Sequence, residues 1–500
     1  MMATCRAIQQ AESRLFASGV AAEPLMERAG RGCAAAIGQW HPEPGRAVLF
    51  VGKGNNGGDA LVIGRELRRR GWEVEARYAA EPEAMTPLAR QKRVEFENAA
   101  VSSPSAPVLS GRLVLVDGLL GIGARGPLEG RLAELAAEMN ALRRDRHGRT
   151  FAVDVPSGLD GDTGEPYPGA VEADVTLTIS AVKAGLIADA ALDHVGRLVW
   201  VPLPEIAAAI EDPDATRMVT EPAWLAARLP RRDFSCHKGR AGRVAIVAGS
   251  RGLSGAASLC ARGALRGGAG LVTVFVPEAI YPVVASAAPA EAMVVPFRDW
   301  AQVRDFPADV IAVGPGLGAE PEDPTGLEAA FWDESRPLVV DADALNWLSR
   351  SAAAASGRVP AGPRLLTPHP GEMARWRGAG ALEGRSRAEI AAAFVKDWPV
   401  TLLFKGARTI VAEAGRPLAF NPTGQPGMAT GGIGDVLTGL CAALIGQGLS
   451  PYEAAVMGSW LIGRSAEAQA LAGQSEESLL AGDVAAGLGA AFEALRTGTW

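Results

Sequence analysis

Two short stretches of this 500-residue chain gather the residue types that bind phosphate and move protons. The first is Gly52-Lys53-Gly54-Asn55-Asn56-Gly57-Gly58-Asp59, which follows an apolar run at 47–51 and opens a helical pattern. Gly52, Gly54 and Gly57 keep the G-x-G-x-x-G spacing. Glycine there lets backbone amides approach a pyrophosphate, and the helix start adds partial positive charge. The same spelling also suits a sharp turn that binds nothing. Asn55, Asn56 and Asp59 add amide and carboxylate oxygens, which suit a polar ligand or a hard cation held through oxygen. Two later apolar runs end in further oxygens. Asp117 follows 113–116, and Asp154 and Ser157 lie in Val153-Asp154-Val155-Pro156-Ser157-Gly158. Ligands of doubly wound sheets sit at the carboxyl ends of strands, so Asn56, Asp117, Ser157 and Asp154 are expected to converge there. Taken singly, each Asp is equally a turn or cap residue.

The second stretch is Asn421-Pro422-Thr423-Gly424-Gln425-Pro426-Gly427-Met428-Ala429-Thr430-Gly431-Gly432-Ile433-Gly434-Asp435, which runs into an apolar segment at 436–444. Glycines just before a helix turn several N–H groups towards one point, and such a nest stabilises charge on a transferring phosphoryl group. Asp435, in the first helical turn, is placed to take a proton from an attacking hydroxyl. A plain helix cap needs one Asp or Ser and no cluster of glycines. The segment is neither a Walker loop nor a protein-kinase motif set.

Strands and helices must alternate to bring such residues to one edge. Strands are expected at 47–51, 72–78, 113–116, 151–155, 175–179 and 198–201, with a helix at 59–70. The segment 202–222 breaks the rhythm with Pro202, Pro204, Pro213, Pro222 and the acidic Glu211, Asp212 and Asp214. Alternation then restarts: strands at 244–248, 271–275, 310–313, 338–340 and 401–404, and a helix at 256–267. This pattern predicts an α/β protein of two domains, 1–212 with a Rossmann-like doubly wound parallel sheet and 213–500 with a second α/β layer.

The composition fits this reading: 48% hydrophobic, 21% charged and only 6% aromatic, with small residues filling the interior. Lys and Arg number 49 against 56 Asp and Glu, a net charge of −7, which argues against nucleic-acid or anionic-membrane binding. No apolar run is long enough for a membrane helix, and the first residues carry no apolar signal core. Five cysteines without a C-x-x-C disfavour a disulfide frame or zinc site and predict a reducing, cytoplasmic setting.

The first half resembles the NAD(P)H-hydrate epimerase domain over residues 5–205. The likeness rests on G-K-G-N-N-G-G-D at 52–59, V-D-G-L-L-G-I-G at 116–123, V-D-V-P-S-G-L at 153–159 and Pro24-Leu25-Met26-Glu27-Arg28-Ala29-Gly30. The resemblance implies that the hydrated dinucleotide is held by Asn55, Asn56, Gly57, Gly58 and Asp59 and by Gly121, Ile122, Gly123, Ala124, Arg125, Gly126 and Pro127. It implies a potassium ion on Asn56, Asp117 and Ser157, and Asp154 at the reacting ring. Ala60, Gly118-Leu119-Leu120 and Ile122 depart from the family's usual residues, and Ile122 lacks a hydroxyl common there.

The second half resembles the ribokinase-like superfamily and, within it, the ADP- or ATP-dependent NAD(P)H-hydrate dehydratases over 222–495. The motifs are His237-Lys238-Gly239, Ala248-Gly249-Ser250, Ser254-Gly255-Ala256, Gly314-Pro315-Gly316-Leu317-Gly318, Asp341-Ala342-Asp343-Ala344-Leu345-Asn346, Thr367-Pro368-His369-Pro370-Gly371-Glu372 and Lys405-Gly406-Ala407-Arg408-Thr409. Gln425 and Ile433 replace more usual residues. The resemblance implies that Ala256, Gly316, Gly318, His369 and Asp435 line the substrate site. It implies that Lys405, Gly406, Ala407, Arg408, Thr409, Gly431, Gly432 and Gly434 hold ADP or ATP with Mg2+. His369 between prolines is equally a rigid-turn residue, and Lys405 equally a snorkelling surface lysine.

The resemblance implies a homo-oligomeric metabolite-repair enzyme acting on NAD(P)HX, the hydrated reduced cofactor. One half interconverts its R and S forms; the other dehydrates the S form at the expense of ADP or ATP, giving AMP and phosphate from ADP. Hydroxide is a poor leaving group and phosphate a good one, so a kinase-like site suits a net dehydration. The competing readings are a ribokinase-like small-molecule kinase with a non-catalytic binding domain in front, and a plain dehydrogenase. For the last, no hydride-transfer constellation accompanies the glycines.

Overall fold

The computed structural model describes residues 1–99, 112–350, 358–378, 380 and 382–498. They form two compact units, Met1–Ala215 and Thr216–Trp500.

In the first unit a two-residue strand β1 (Met2–Ala3) precedes β2 (Arg46–Val51), β3 (Glu73–Tyr78), β4 (Leu113–Gly118), β5 (Arg149–Val153), β6 (Val175–Ile179), β7 (Val182–Lys183) and β8 (Arg197–Val201). The main sheet has the order β3-β2-β4-β5-β6-β8 and every pairing is parallel. Side chains of β2 alternate between two cores. Ala47, Leu49 and Val51 face one that includes Ala29, Cys33, Ala60 and Leu61 from the helices Ala22–Trp40 and Asn55–Arg69. Val48 and Phe50 face the other, with Leu135 and Met139 of the helix Gly130–Arg146. Both faces are covered, as a parallel sheet requires. The chain leaves β2 first to β3 on one side and then to β4 on the other. The carboxyl ends of β2 and β4 therefore flank a topological switch point, the place where such sheets bind ligands.

The helix predicted at 59–70 begins earlier, at Asn55, so Asn55, Asn56, Gly57, Gly58 and Asp59 belong to its first turns and not to a loop. The cause is packing. Gly54 is an extended cap, and glycine at 57 and 58 lets the first turn press onto the Gly52 carbonyl and the Met26 side chain. The expected break at 202–222 is also structured in part. It holds a helix, Pro204–Ala208, and a strand β9 (Arg217–Val219).

In the second unit β9 is followed by β10 (Arg243–Val247), β11 (Leu271–Pro277), β12 (Ala292–Phe297), β13 (Val310–Val313), β14 (Leu338–Val340), β15 (Arg364–Leu366), β16 (Thr401–Phe404), β17 (Ile410–Ala412) and β18 (Leu418–Phe420). The order is β12-β11-β10-β13-β14-β15-β16-β17-β18-β9. The pairings from β12 to β16 are parallel, and β17 is antiparallel to both its neighbours. One face packs on the helices Ser254–Arg266, Ile433–Gly446, Pro451–Leu471 and Ala481–Thr497. The first two lie in close contact because Gly439 meets the Cys260 carbonyl and Gly263 meets the Val436 carbonyl, where a Cβ would collide. The five cysteines are free. Cys5, Cys33, Cys260 and Cys441 are buried and Cys236 is half-buried.

Candidate active sites

In the first unit the expected oxygen ligands of the switch point come together. Asp117, at the end of β4, is fully buried. Its carboxylate accepts from the Ser157 hydroxyl at 2.6 Å and from the backbone N–H of Ser157 at 2.7 Å and of Leu119 at 3.2 Å. The Leu120 N–H donates to Ser157 Oγ at 3.0 Å, and Asn56 Nδ2 donates to the Leu120 carbonyl at 2.8 Å. Burial pushes the Asp117 carboxyl up to about 6, and these hydrogen bonds only partly offset it. Asn56, Asp117, Ser157 and the Leu120 carbonyl thus present a buried, oxygen-rich cluster. Its oxygen-only donor set and raised carboxyl fit a hard cation. Gly121 stands over Asn56, where a Cβ would lie 3.4 Å from the Asn56 Cβ. Gln9, on the helix Cys5–Ala17, donates to the Ile122 carbonyl at 3.3 Å, and Arg125 pairs with Asp162 at 3.4 Å. These contacts hold the loop 121–127 across the mouth of the sheet.

Asp154 does not join the Asp117 hydrogen-bond network. It follows β5 in the left-handed region, at φ 69°, a conformation that costs a non-glycine residue about 1–3 kcal/mol and is tolerated where surroundings over-determine it. Here its carboxylate accepts from the Ile179 N–H at 3.0 Å and is ion-paired with Lys183. The ammonium of Lys183 also donates to the Ile179 carbonyl at 2.8 Å and Thr178 Oγ1 at 3.3 Å, and the side chain is almost wholly buried. Lys183 owes its place to β7, which pairs with β1 so that Ala3 sits opposite Lys183. Asp59 and Glu12 complete the group. Burial, then the Asp154 charge, pushes Asp59 well above the carboxylate range and Glu12 up to about 7, while Lys183 pulls both down. Sequence reasoning missed Lys183 and Glu12. The only signal for Lys183 was a lone lysine in an apolar run.

In the second unit five strand ends converge. The loops after β10, β13, β14, β15 and β16 carry Gly249, Gly314-Pro315-Gly316-Leu317-Gly318, Asp341, His369 and Lys405. The Gly249 N–H donates to the Pro315 carbonyl at 2.8 Å, and the Gly318 N–H to Asp343 Oδ2 at 2.8 Å. Gly316, at φ 64°, stands beside Ala256, where a Cβ would lie 2.9 Å from the Ala256 Cβ. Ala256, Gly316 and Gly318 are therefore neighbours. Lys405 is no surface lysine. Its side chain is 18% exposed and reaches Asp341 at 2.6 Å and Glu372 at 3.8 Å. Asp341 also accepts from the Thr438 hydroxyl at 2.6 Å.

The glycine run delivers its last residues to the same place. Gly432 caps the helix Ile433–Gly446 at φ 92°, a left-handed turn that suits glycine. A Cβ on Gly434 would lie 3.4 Å from Lys405 Nζ. Asp435 follows in the first helical turn. Burial is the main cause that pushes its carboxyl up to about 7; Asp341 and Asp343 add to it and Lys405 opposes it. A carboxyl near 7 is matched to general-base work at neutral pH. His369 caps the helix Pro370–Arg377. Its Nδ1 accepts from the Gly371 and Glu372 N–H groups at 3.0 and 3.3 Å, and its half-exposed ring lies 3.4 Å from Glu372. In the segment 405–409, Thr409 donates to the Gly406 carbonyl at 3.1 Å and Arg387 to the Ala407 carbonyl at 2.6 Å, and Arg408 is buried. Asp341, Asp343 and Glu372 stand in motifs visible in the sequence, but their charge coupling to Asp435 and Lys405 was not read from it.

Comparison with known proteins separates the two units. Residues 22–185 match the family described as YjeF-related protein N-terminus, and residues 244–486 match NAD(P)H-hydrate dehydratase. A bifunctional NAD(P)H-hydrate repair enzyme of Moorella thermoacetica is 37% identical over 462 residues, covering 88% of this chain and 86% of its own. The chain belongs to the bifunctional NAD(P)H-hydrate repair enzymes. As a member of that family it is an enzyme of NAD(P)HX repair, with an epimerase and a dehydratase domain. The ADP/ATP-dependent NAD(P)H-hydrate dehydratase of Bacillus subtilis, co-crystallised with ATP and Mg2+, superposes with a TM-score of 0.50 at 29% identity, covering 55% of this chain and 98% of that one. A ribokinase-like superfamily protein of Enterococcus faecalis does so at 0.50 and 25%, covering 57% and 98%. The dehydratase domain is thus ribokinase-like, as the sequence implied. The reading as a ribokinase-like small-molecule kinase with a non-catalytic binding domain in front is not favoured. Among the described residues no helix is long and apolar enough to cross a membrane.

Proposed function

We propose that residues 1–212 carry the epimerase and 213–500 the dehydratase, each working at the strand ends described above. In the dehydratase, Ala256, Gly316, Gly318 and His369 line the site for the hydrated nicotinamide. Lys405, Gly406, Ala407, Arg408 and Thr409, with Gly431, Gly432 and Gly434, hold ADP or ATP. Asp435 takes the proton of the C6 hydroxyl, whose oxygen attacks the terminal phosphorus of the nucleotide while the bond from that phosphorus to the bridging oxygen breaks and AMP leaves from ADP, or ADP from ATP. The amides of 431–434 and the Lys405 ammonium stabilise the charge on the transferring group. The nitrogen lone pair of the ring then expels phosphate, and loss of a proton from the adjacent carbon restores the reduced nicotinamide. Mg2+, when bound, neutralises phosphate charge. Its usual partners are one or two carboxylates plus the nucleotide's own phosphates, and Asp341 and Glu372 fit that role.

In the epimerase, Asn55, Asn56, Gly57, Gly58, Asp59 and the loop Gly121-Ile122-Gly123-Ala124-Arg125-Gly126-Pro127 bind the dinucleotide. Asn56, Asp117 and Ser157 would hold K+, whose charge offsets that of the buried carboxylate and orders the loop ends around it. Asp154 moves the proton during epimerisation, and Lys183 fixes its carboxylate. A dehydratase restricted to one C6 isomer needs this partner, because spontaneous hydration makes both. The free cysteines suit a cytoplasmic setting, and a homo-oligomer is expected.

The observation that carries this reading is Asp435, held near neutrality one residue beyond the Gly434 backbone that faces Lys405. The test follows the near-ultraviolet absorbance of the reduced cofactor regenerated from mixed hydrate isomers with ADP or ATP. The wild type recovers all of it. Asp435→Asn is expected to regenerate it about 10²–10⁴-fold more slowly, and unimpaired recovery by that variant would remove Asp435 from the mechanism.

A further inference from the structure

The helices Ser254–Arg266 and Ile433–Gly446 present Ala256 and the Gly432–Asp435 turn at their amino ends. Their carboxyl ends, about 20 Å away for a 13-residue helix, meet at a separate cavity of about 730 Å3. Arg231, Arg232, Arg266 and Arg496 line it, together with Gln447 and Phe492, and among the described residues no carboxylate is in its lining. In a chain of net charge −7, four guanidinium groups around one concavity make a local positive potential that favours an anion.

A structural duty explains only part of this set. Helix carboxyl ends leave carbonyls that cations can cap. Those carbonyls are already served here: Arg232 donates to Gly268, and Gln447 Nε2 donates to Gly267 at 2.9 Å. Arg496 pairs with Glu493, one turn back on its own helix. Arg231 and Arg266 have no side-chain partner among the described residues, and all four arginines are exposed. The half-buried Phe492, packed on the core, supplies an apolar wall. Planar guanidinium forks around a concave surface match the oxygens of phosphate groups, which accept two parallel bonds from each fork.

We propose that this cavity is a second anion site of the dehydratase unit, distinct from the nucleotide site, and that it takes a compact polyphosphate-bearing small molecule. The inference rests on the arginine cavity alone and stands or falls independently of the catalytic assignments.

Sodium tripolyphosphate, titrated calorimetrically into the full-length protein in Mg2+-free buffer, tests it. The wild type is expected to show saturable binding, retained when the other candidate phosphate site is weakened by Lys405→Gln. Arg266→Gln combined with Arg496→Gln should weaken that binding about tenfold or more, the scale of losing two charge-assisted contacts. A control pair on another surface, Arg298→Gln with Arg304→Gln, should leave it unchanged. Melting curves of the variants without ligand establish that each is folded. Three results would overturn the proposal: no saturable binding in the wild type, equal weakening by both arginine pairs, or loss of the binding with Lys405→Gln alone.

Discussion

The two candidate reaction centres share a plan and differ in which acid the buried lysine pairs with. Each lies at the carboxyl edge of a parallel sheet, and each uses a glycine-rich turn opening a helix. In the epimerase unit Lys183 is paired directly with Asp154, the carboxylate assigned to the reacting ring. In the dehydratase unit Lys405 is paired with Asp341, while Asp435 sits one step away among like charges and is raised to about 7. Ion pairing steadies a carboxylate in one position. Withholding the partner leaves a carboxyl that gives and takes a proton near neutral pH. On the proposed assignments, the same inventory of one lysine and several acids serves two chemistries, according to which acid receives the cation.

The sharpest way to break this comparison is to remove each acid. Asp435→Asn should lower dehydratase turnover by about 10²–10⁴-fold, the range for a lost general base, while R/S interconversion measured by chromatography stays intact. Asp154→Asn should do the converse. A smaller loss of interconversion, about 10²-fold, would leave the dehydratase to recover only the S share of a mixed substrate. If either substitution silenced both activities, the two centres would not be independent.

Lysine removal distinguishes pairing from chemistry. Lys183→Met strips a buried partner from Asp154 and should cost about 3–5 kcal/mol in denaturant unfolding of the epimerase unit. An unchanged midpoint would mean that the pair does not steady the fold.

pH sharpens the contrast. With Asp435 as the proposed base, dehydratase kcat/KM should fall about tenfold per pH unit below about 7, and flatten above it. The same shift has a stability sign. The folded state holds this proton up to about 7, whereas the unfolded chain releases it near the ordinary carboxylate value of about 4. The Asp435 contribution to stability therefore decreases as pH rises from about 4 to about 7. Asp435→Asn should flatten both profiles. The smallest expected effect is at Ser157→Ala. It removes the 2.6 Å hydrogen bond to buried Asp117 and should cost about 1–3 kcal/mol, together with any K+ dependence of epimerase activity.

Much of this was legible in the sequence. The strands at 175–179, 310–313, 338–340 and 401–404 have the bounds the pattern predicts, because each is an unbroken apolar or β-branched run between turn residues. The oxygen cluster of Asn56, Asp117 and Ser157 was legible too, since all three lie at or just beyond the carboxyl ends of strands of one parallel sheet. Lys183 was not. Its burial depends on a two-residue pairing with Met2–Ala3, a contact across most of the unit that no local pattern encodes. The helix start at Asn55 was hidden because glycine lowers helical propensity, and only close contact with Gly52 and Met26 makes two consecutive glycines useful there. The antiparallel pair β17 and β18 escaped because each strand has three residues, too few to show a period. His369 showed its motif but not its duty as a helix cap.

The distribution of thiols has a practical consequence. Cys5 and Cys33 sit in the core of the first unit, and Cys260 and Cys441 in that of the second. Burial holds all four thiols above their ordinary range, Cys5 at about 12, so an alkylating reagent must wait for the surrounding structure to part. Cys260 lies where two helices touch through Gly439, so its modification clocks their separation. Mass spectrometry of the four peptides would time the breathing of each unit separately within one unaltered polypeptide.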